Sequence, residues 1–173
     1  MKRMFALWLA FLLMVTAAPL FGKAPTSKIK IQGSDLKATI EITDPKILRL
    51  FRVWAGPATS SNEAQSLIVD WSQEASTGLP KGLQRYEVSF YAKLPNEQLI
   101  YVVFYEHDAS QDHGYVCLPG TTDKWYGVNV GTIWHGVEGK CFRAWGAWER
   151  VADPLIEKAK MAVSDSGRER SFH

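Results

Sequence analysis

Hydrophobic and polar residues alternate over residues 28–42, KIKIQGSDLKATIEI. Apolar side chains recur at every second position on both sides of a Gly33-Ser34 pair, at Ile29, Ile31, Leu36, Ala38, Ile40 and Ile42. A period of two is typical of a strand with one buried face, and a glycine next to a serine suits a tight turn. The pattern therefore predicts a β-hairpin.

Two other segments have helical spacing. In the first, Asp44 and Pro45 suit an N-cap and a first helical position, and the apolar positions that follow are Ile47, Leu50, Phe51 and Trp54. In the second, Asp153 and Pro154 repeat that start, and the apolar face consists of Leu155, Ile156, Ala159, Ala162 and Val163. A preceding helical segment that kinks at Pro154 would hold Trp145, Trp148 and Ala152. We expect one helix after the hairpin and one at the C-terminus.

The strongest strand pattern is QRYEVSFYAKLPNEQLIYVVFYEHD, residues 84–108. Folding this segment about Asn96 sets Tyr91 opposite Tyr101 and Glu87 opposite Tyr105. We predict that the three tyrosines form a row on one sheet face, a surface that suits a flat ligand or sugar rings. The competing interpretation is that a helix covers this face. The other face is predicted to be core, with Val88, Phe90, Ile100, Val102 and Phe104.

Further strands are predicted around these two. LIVDW, residues 67–71, and GYVCLPG, residues 114–120, each have a strand-like composition, and a short strand is predicted at Tyr126 to Val130. Strands in series with helices at both ends indicate an α+β fold built on an antiparallel β-sheet. We expect one globular domain over residues 26–163 and a disordered tail over residues 164–173.

The N-terminus has the pattern of a secretory signal peptide, which we assign to residues 1–22. Lys2 and Arg3 precede an uncharged apolar run, and cleavage after Ala17 or Gly22 fits the small residues that follow. The alternative is an uncleaved apolar segment that anchors the chain in the membrane. Loss of Lys2 and Arg3 changes the formal charge from +2 to zero. A mature chain of zero net charge has no overall field that attracts nucleic acid.

Cys117 and Cys141 are the only cysteines in the sequence. We predict a disulfide between them, because an exported chain meets an oxidising compartment. Two buried thiols or two zinc ligands are the alternatives, although neither cysteine lies in a CxxC pair.

The segment EHDASQDH, residues 106–113, is the main candidate for chemistry. Imidazole and carboxylate groups bind zinc, manganese or iron, which makes His107, Asp108 and His113 candidate metal ligands. The competing interpretation is a polar turn between two strands, since Asp, Ser and Gly are common in turns. No GxSxG nucleophile motif and no glycine-rich phosphate loop is present in the sequence.

Five segments between about Lys30 and Glu157 resemble segments of other proteins: TDPKILRLFRVWAGP, PKGLQRYEVSFYAK, LIYVVFYEHD, GYVCLPG and GVEGKCFRAW. Together they resemble a family of uncharacterised exported bacterial proteins. The resemblance implies export and a single domain, and it assigns no activity and no site residues.

From the sequence we expect an exported, soluble, non-enzymatic binding or envelope-associated domain, periplasmic or secreted. Its partner would be a small molecule, a glycan or an envelope protein, with no cofactor required. The alternative is a small metal-dependent hydrolase that uses His107, Asp108 and His113 with a divalent metal. A third possibility is a periplasmic protein-partner domain, such as an inhibitor or assembly factor.

Overall fold

The computed structural model describes residues 24–51, 67–130 and 136–168. The strands in these ranges are β1 Thr26–Gly33, β2 Ile40–Ile42, β3 Val69–Glu74, β4 Gln84–Leu94, β5 Asn96–His107, β6 Tyr115–Cys117 and β7 Cys141–Ala144. The helices are α1 Pro45–Leu48, α2 Tyr126–Val130 and α3 Gly146–Arg168. The predicted signal peptide, residues 1–22, lies outside the described residues. No helix in the described part of the chain is long and apolar enough to cross a membrane.

The seven strands form one sheet in the order β2-β1-β4-β5-β6-β7-β3, and every neighbouring pair is antiparallel. The C-terminal helix packs on one face of this sheet, where Trp148, Ala152 and Ile156 are fully buried. The predicted α+β fold with an antiparallel sheet and a C-terminal helix is therefore confirmed.

The predicted hairpin forms, with Ile29 opposite Ile42 and Ile31 opposite Ile40. Its second strand is shorter than predicted, because β2 covers only Ile40–Ile42 and the positions of Leu36 and Ala38 belong to the connection over residues 34–39, not to a strand after a tight Gly33-Ser34 turn.

The helix after the hairpin is short and covers Pro45–Leu48, with Asp44 as the predicted N-cap that accepts a hydrogen bond from the Lys46 N–H. Phe51 is fully buried as expected, whereas Leu50 is 47% exposed. Residues 52–66, which include the predicted apolar Trp54, lie outside the described residues.

The predicted register of β4 and β5 is wrong by one residue. Phe90 faces Tyr101, Val88 faces Val103 and Tyr86 faces Tyr105, and the register shifts between Phe90 and Tyr91. Directly opposed residues share a face of the sheet, and successive side chains alternate between faces. A register shift of one residue therefore changes which residues of the two strands share a face. Tyr101 and Tyr105 therefore share a face with Val88 and Phe90.

We call the sheet side beneath α3 the inner face. It holds most of the core, including Ile29, Ile31, Tyr86, Val88, Phe90, Tyr101, Val103, Tyr105 and Val116. Phe51 packs edge-on against Trp148, with the ring centres 5.4 Å apart. The rings of Tyr105 and Trp148 also meet edge-on, at 5.9 Å.

The opposite side, which we call the outer face, is also buried at its centre. Val102, Phe104 and Glu106 point to this side and are at most 8% exposed. The α2 segment lies beside β5, and the Asn129 carboxamide accepts a hydrogen bond from the Val102 N–H and donates one to the Val102 C=O. The predicted strand over Tyr126 to Val130 is instead this helix. The Asn129 side-chain amide supplies Val102 with the hydrogen bonds that a neighbouring strand would give.

The C-terminal helix runs without interruption through Pro154. Asp153 is therefore inside the helix, not the N-cap that the Asp-Pro pair predicts, and its side chain faces the sheet. The helix ends at Arg168, within the segment 164–173 that the sequence predicts to be disordered. The domain boundary predicted at residue 163 thus falls inside α3.

The predicted disulfide is confirmed. Cys117 and Cys141 are directly opposite each other on β6 and β7, and their sulfur atoms are bonded. The bond closes a loop with a sequence separation of 24 residues, which contains α2. Cross-linking a loop of this size stabilises a fold by about 3.5 kcal/mol in the chain-entropy treatment.

Candidate functional site

His107 is the last residue of β5 and lies on the inner face, where it is only 5% exposed. Its ring stacks on the Tyr105 ring at an interplanar angle of 12°. The imidazole Nδ1 lies 3.3 Å from the Tyr105 hydroxyl oxygen and 3.7 Å from Asp153 Oδ1. Glu106 points to the outer face, as the alternation of the strand predicts, and bonds Arg85.

The Tyr105 hydroxyl donates a hydrogen bond of 2.7 Å to Asp153 Oδ1. A hydroxyl has one proton, so towards His107 Nδ1 the Tyr105 oxygen is left to accept. The other ring nitrogen, Nε2, is a buried atom that has no hydrogen-bond partner among the described residues. We call Tyr105, His107 and Asp153 the inner network.

Burial dominates the proton equilibria of this network. It raises the pKa of Tyr105 well above its ordinary value, and the hydrogen bond to Asp153 raises it further. Burial also raises the pKa of Asp153, although the Tyr105 hydrogen bond and nearby His107 act in the opposite direction. The network therefore holds Tyr105 neutral at any ordinary pH.

The structure does not bring His113 to this network. Tyr115 is opposite Glu106, so its side chain belongs to the outer face, and His113 Nε2 lies 3.0 Å from the Tyr115 hydroxyl. His107 and His113 thus have their partners on opposite sides of the sheet.

Asp108 serves the turn between β5 and β6. Its Oδ1 accepts a hydrogen bond of 2.8 Å from the Ser110 N–H, and this backbone bond lowers the pKa of Asp108. The described residues contain no group of three or more His, Cys, Asp or Glu side chains arranged to hold a metal ion. The arrangement favours the polar turn, and metal binding by His107, Asp108 and His113 stays a prediction.

The three tyrosines do not form one row. Tyr101 and Tyr105 are 1% and 0% exposed on the inner face, so the competing interpretation of a covered face applies to them. Burial raises the pKa of Tyr101 above its ordinary value. Tyr91 pairs with Leu99 beyond the register shift and is the half-exposed member of the three, on the outer face.

Two lysines of β1 surround Tyr91. Lys28 is directly opposite Tyr91 and Lys30 is opposite Ser89, its neighbour on the same face. The two ammonium nitrogens lie over the Tyr91 ring, 5.1 and 5.6 Å from its centre. Lys28 is ion-paired with Glu97, and Lys30 is ion-paired with Glu41 at 2.8 Å. We call Tyr91, Lys28, Lys30, Glu41 and Glu97 the Tyr91 surface.

A second, partly buried network, which sequence reasoning missed, lies near the first one. The Tyr86 hydroxyl donates a hydrogen bond of 2.6 Å to Asp35 Oδ2, and Lys160 of α3 lies 3.3 Å from the same oxygen. Burial raises the pKa of Tyr86 to about 12, together with the bond to Asp35. Burial raises the pKa of Asp35, but the bonds from Tyr86 and Lys160 outweigh it and the net pKa is lowered.

This network and the inner network share a function in the fold. Both connect α3 to the sheet, one through Asp153 and the other through Lys160. Helical spacing is the signal available in the sequence: Glu149, Asp153, Glu157 and Lys160 recur along one edge of α3. Glu149 adds a third connection, because its Oε1 accepts a hydrogen bond of 2.7 Å from the Gly114 N–H.

Comparison of the chain with protein-family models, with curated protein sequences and with solved structures found no match. The resemblance to exported bacterial proteins noted from the sequence therefore stays a prediction.

Proposed function

We propose that the protein is an exported, non-enzymatic binding domain associated with the bacterial cell envelope. Export is supported by the basic and apolar pattern of residues 1–22. It is also supported by the Cys117–Cys141 disulfide, because disulfides persist in oxidising compartments. A covalent connection between β6 and β7 suits a small domain that functions outside the cytoplasm.

The Tyr91 surface is the binding site in this proposal, and one observation carries it. Tyr91 is a half-buried aromatic ring on the outer face, and the ammonium nitrogens of two β1 lysines lie over it, 5.1 and 5.6 Å from its centre. An aromatic ring at a sheet surface gives apolar contact area, and the side chains around it give hydrogen bonds.

The inner network is assigned a structural function. Tyr105 is 0% exposed and His107 5% exposed, and the hydroxyl and carboxylate that could act on a substrate are bonded to each other across the interface of β5 and α3. Hydrogen-bonded buried polar groups of this kind specify how two elements pack. A binding domain is supported better than an enzyme, because Tyr105 and His107 are buried, whereas the glutamate side chains near Tyr91 are open to solvent.

Two measurements test the proposal. Cell fractionation with N-terminal sequencing of the mature protein should find it outside the cytoplasm, with an N-terminus between residues 18 and 23. Retention of purified protein on washed envelope fractions should then depend on Tyr91, with Tyr91→Ala released and Lys81→Gln retained. Lys81 is an exposed lysine in the loop before β4, which makes its variant a control for loss of one surface side chain. Cytoplasmic protein, or equal retention of both variants, would contradict the proposal.

A further inference from the structure

Lys93 adds a third cation beside the Tyr91 surface. It lies two residues after Tyr91 on β4, so both side chains point to the outer face, and Lys93 is exposed. The residue opposite Lys93 is Glu97, whose carboxylate is already bonded by Lys28 and by the Ser27 hydroxyl. The Tyr91 surface together with Lys93 therefore has three cations and two carboxylates.

The three lysines lie in a row along β1 and β4. Lys28 is opposite Tyr91, Lys30 lies two residues away from Lys28 on β1, and Lys93 lies two residues away from Tyr91 on β4, in the other direction. Two residues of a strand span roughly 6.6 Å, so the row extends over two such steps. We call Lys28, Lys30 and Lys93 the lysine row. The two glutamates lie on either side of it, on β2 and β5.

The Tyr91 ring positions two of the three ammonium groups. The nitrogens of Lys28 and Lys30 lie over the same ring, whose negative face attracts cations and keeps the two positive charges near each other. Their side chains are 16% and 27% exposed, as expected where the stem is covered and the charged end reaches water. Each ammonium has three N–H donors, and an ion pair uses only part of them.

Neighbouring charges do not reverse the positive surplus. Glu87, further along the outer face, is ion-paired with Lys124 at 2.9 Å. The α1 segment, which contacts β1, adds Lys46 and Arg49 against Asp44. A local surplus of positive charge attracts anionic ligands, even where the mature chain as a whole has no net charge.

A polymer with repeated negative groups matches the lysine row, because one chain can contact several ammonium groups and the contacts reinforce each other. We infer that the lysine row binds an acidic polysaccharide, with the carboxylates of the polymer accepting hydrogen bonds from the ammonium groups. This inference rests on the proposed function. A lipid surface matches less well, since the exposed large apolar side chains of the described residues, Leu50 and Met161, both lie outside the sheet.

Biolayer interferometry of the mature protein tests this inference. The sensors carry one of two carboxylate polymers, polygalacturonate or alginate, or the neutral polymer dextran. We expect binding to at least one carboxylate polymer at low salt, loss of that binding at high salt because salt screens charges, and no binding to dextran. Tyr91→Ala should weaken the binding, because it removes the ring that positions two of the ammonium groups, and Tyr91→Phe should retain it.

Charge-matched variants locate the contact. Lys93→Gln and Lys81→Gln each remove one positive charge, and only Lys93→Gln should raise the dissociation constant, by about fivefold at low salt. Glu41→Gln and Glu74→Gln each remove one negative charge, and only Glu41→Gln should lower it, because Glu74 lies on β3 at the far edge of the sheet. Equal effects within both pairs would mean that only net charge matters, which overturns the inference.

The remaining outcomes distinguish the inference from the proposed function. Sedimentation of the protein with phosphatidylglycerol vesicles, without binding to either carboxylate polymer, overturns the polysaccharide in favour of an anionic lipid and leaves a binding surface at Tyr91. Tyr91-dependent retention on envelope fractions without binding to either carboxylate polymer or vesicles, or with equal binding to dextran, overturns the acidic ligand and leaves the binding domain. Absence of any Tyr91 dependence in both experiments overturns the inference and the proposed function together.

Discussion

The Tyr105 hydroxyl donates a hydrogen bond of 2.7 Å to Asp153, and this bond joins the central strand β5 to the C-terminal helix α3. Both residues had other functions in the sequence-based interpretation, Tyr105 as part of an exposed row and Asp153 as a helix cap. The contact makes the inner network a structural connection between the sheet and the helix.

Tyr105→Phe tests that connection. The variant removes the hydroxyl that binds Asp153 and leaves His107 Nδ1–H without its acceptor. Loss of a buried hydrogen bond costs about 1–3 kcal/mol when a partner stays unsatisfied. We expect the free energy of unfolding in urea to fall by that amount. Tyr91→Phe is the matched control on the outer face and should change it by less than about 0.5 kcal/mol. Equal effects of the two variants would contradict the prediction.

The raised pKa of Tyr86 predicts a loss of stability at alkaline pH. Its pKa in the folded protein is raised from 10.0 to about 12, so the folded state binds the proton more tightly than the unfolded state does. The resulting stability is complete below pH 10 and is lost as the pH rises towards about 12. We expect the free energy of unfolding to decline less steeply over this range in Tyr86→Phe than in wild type. Parallel declines in the two proteins would show that Tyr86 does not contribute.

We expect a large loss of stability when Asn129 of the short helix α2 is replaced. Asn129 is 3% exposed. Its side chain accepts a hydrogen bond from the Val102 N–H and donates one to the Val102 C=O. Asn129→Ala would leave both backbone groups unsatisfied, at a cost of about 2–4 kcal/mol in unfolding free energy. Asn129→Asp is the matched variant, since it keeps the acceptor for the N–H and loses the donor. It should also destabilise, and amide hydrogen exchange at Val102 should accelerate in Asn129→Ala more than in Asn129→Asp.

The disulfide predicts a stability difference without a change of fold. Replacing Cys117 and Cys141 together by serine should lower the free energy of unfolding by about 3.5 kcal/mol. The native protein should show no reactive thiol in denaturant until a reductant is added, and two afterwards. A free thiol in the unreduced protein would contradict the cross-link.

The separation of His107 and His113 predicts how the protein responds to metals. Because their ring partners lie on opposite faces of the sheet, we expect no increase in melting temperature with Zn²⁺, Mn²⁺ or Ca²⁺. A tight site at a 100-fold excess over its dissociation constant would add about 2.7 kcal/mol to stability. Such an increase, absent from a His107→Ala, His113→Ala variant, would restore the hydrolase hypothesis.

Local patterns predicted the elements whose physics is local. Alternation around Gly33 predicted the β1–β2 hairpin, and Asp44 with Pro45 predicted the start of α1. Apolar spacing predicted that Ile156 faces the core. Each depends on side chains a few positions apart in the sequence, so the residues themselves carry the information.

The register of β4 and β5 could not be predicted from local patterns in the same way. Residues 101–105 of β5 are buried on both faces, so their apolar run has no polar alternation that would select one register. The shift between Phe90 and Tyr91 then determined which tyrosines are covered. The position of Asp153 inside a helix could not be predicted locally either, since Asp153-Pro154 is the same dipeptide as Asp44-Pro45, where Asp44 is a helix cap. Packing of Trp148 and Ala152 against the sheet extends the helix ahead of Asp153, and that packing is a long-range contact.

By itself, the sequence thus determined the fold class, the first hairpin and the pairing of the two cysteines, because strand alternation, capping and the number of cysteines are properties of the chain. Only the tertiary structure decided that Tyr91 alone of the three tyrosines remains accessible and that His107 is bonded beneath α3. The reason is physical: a side chain's exposure depends on which distant element packs over it, and one residue of register reverses that outcome.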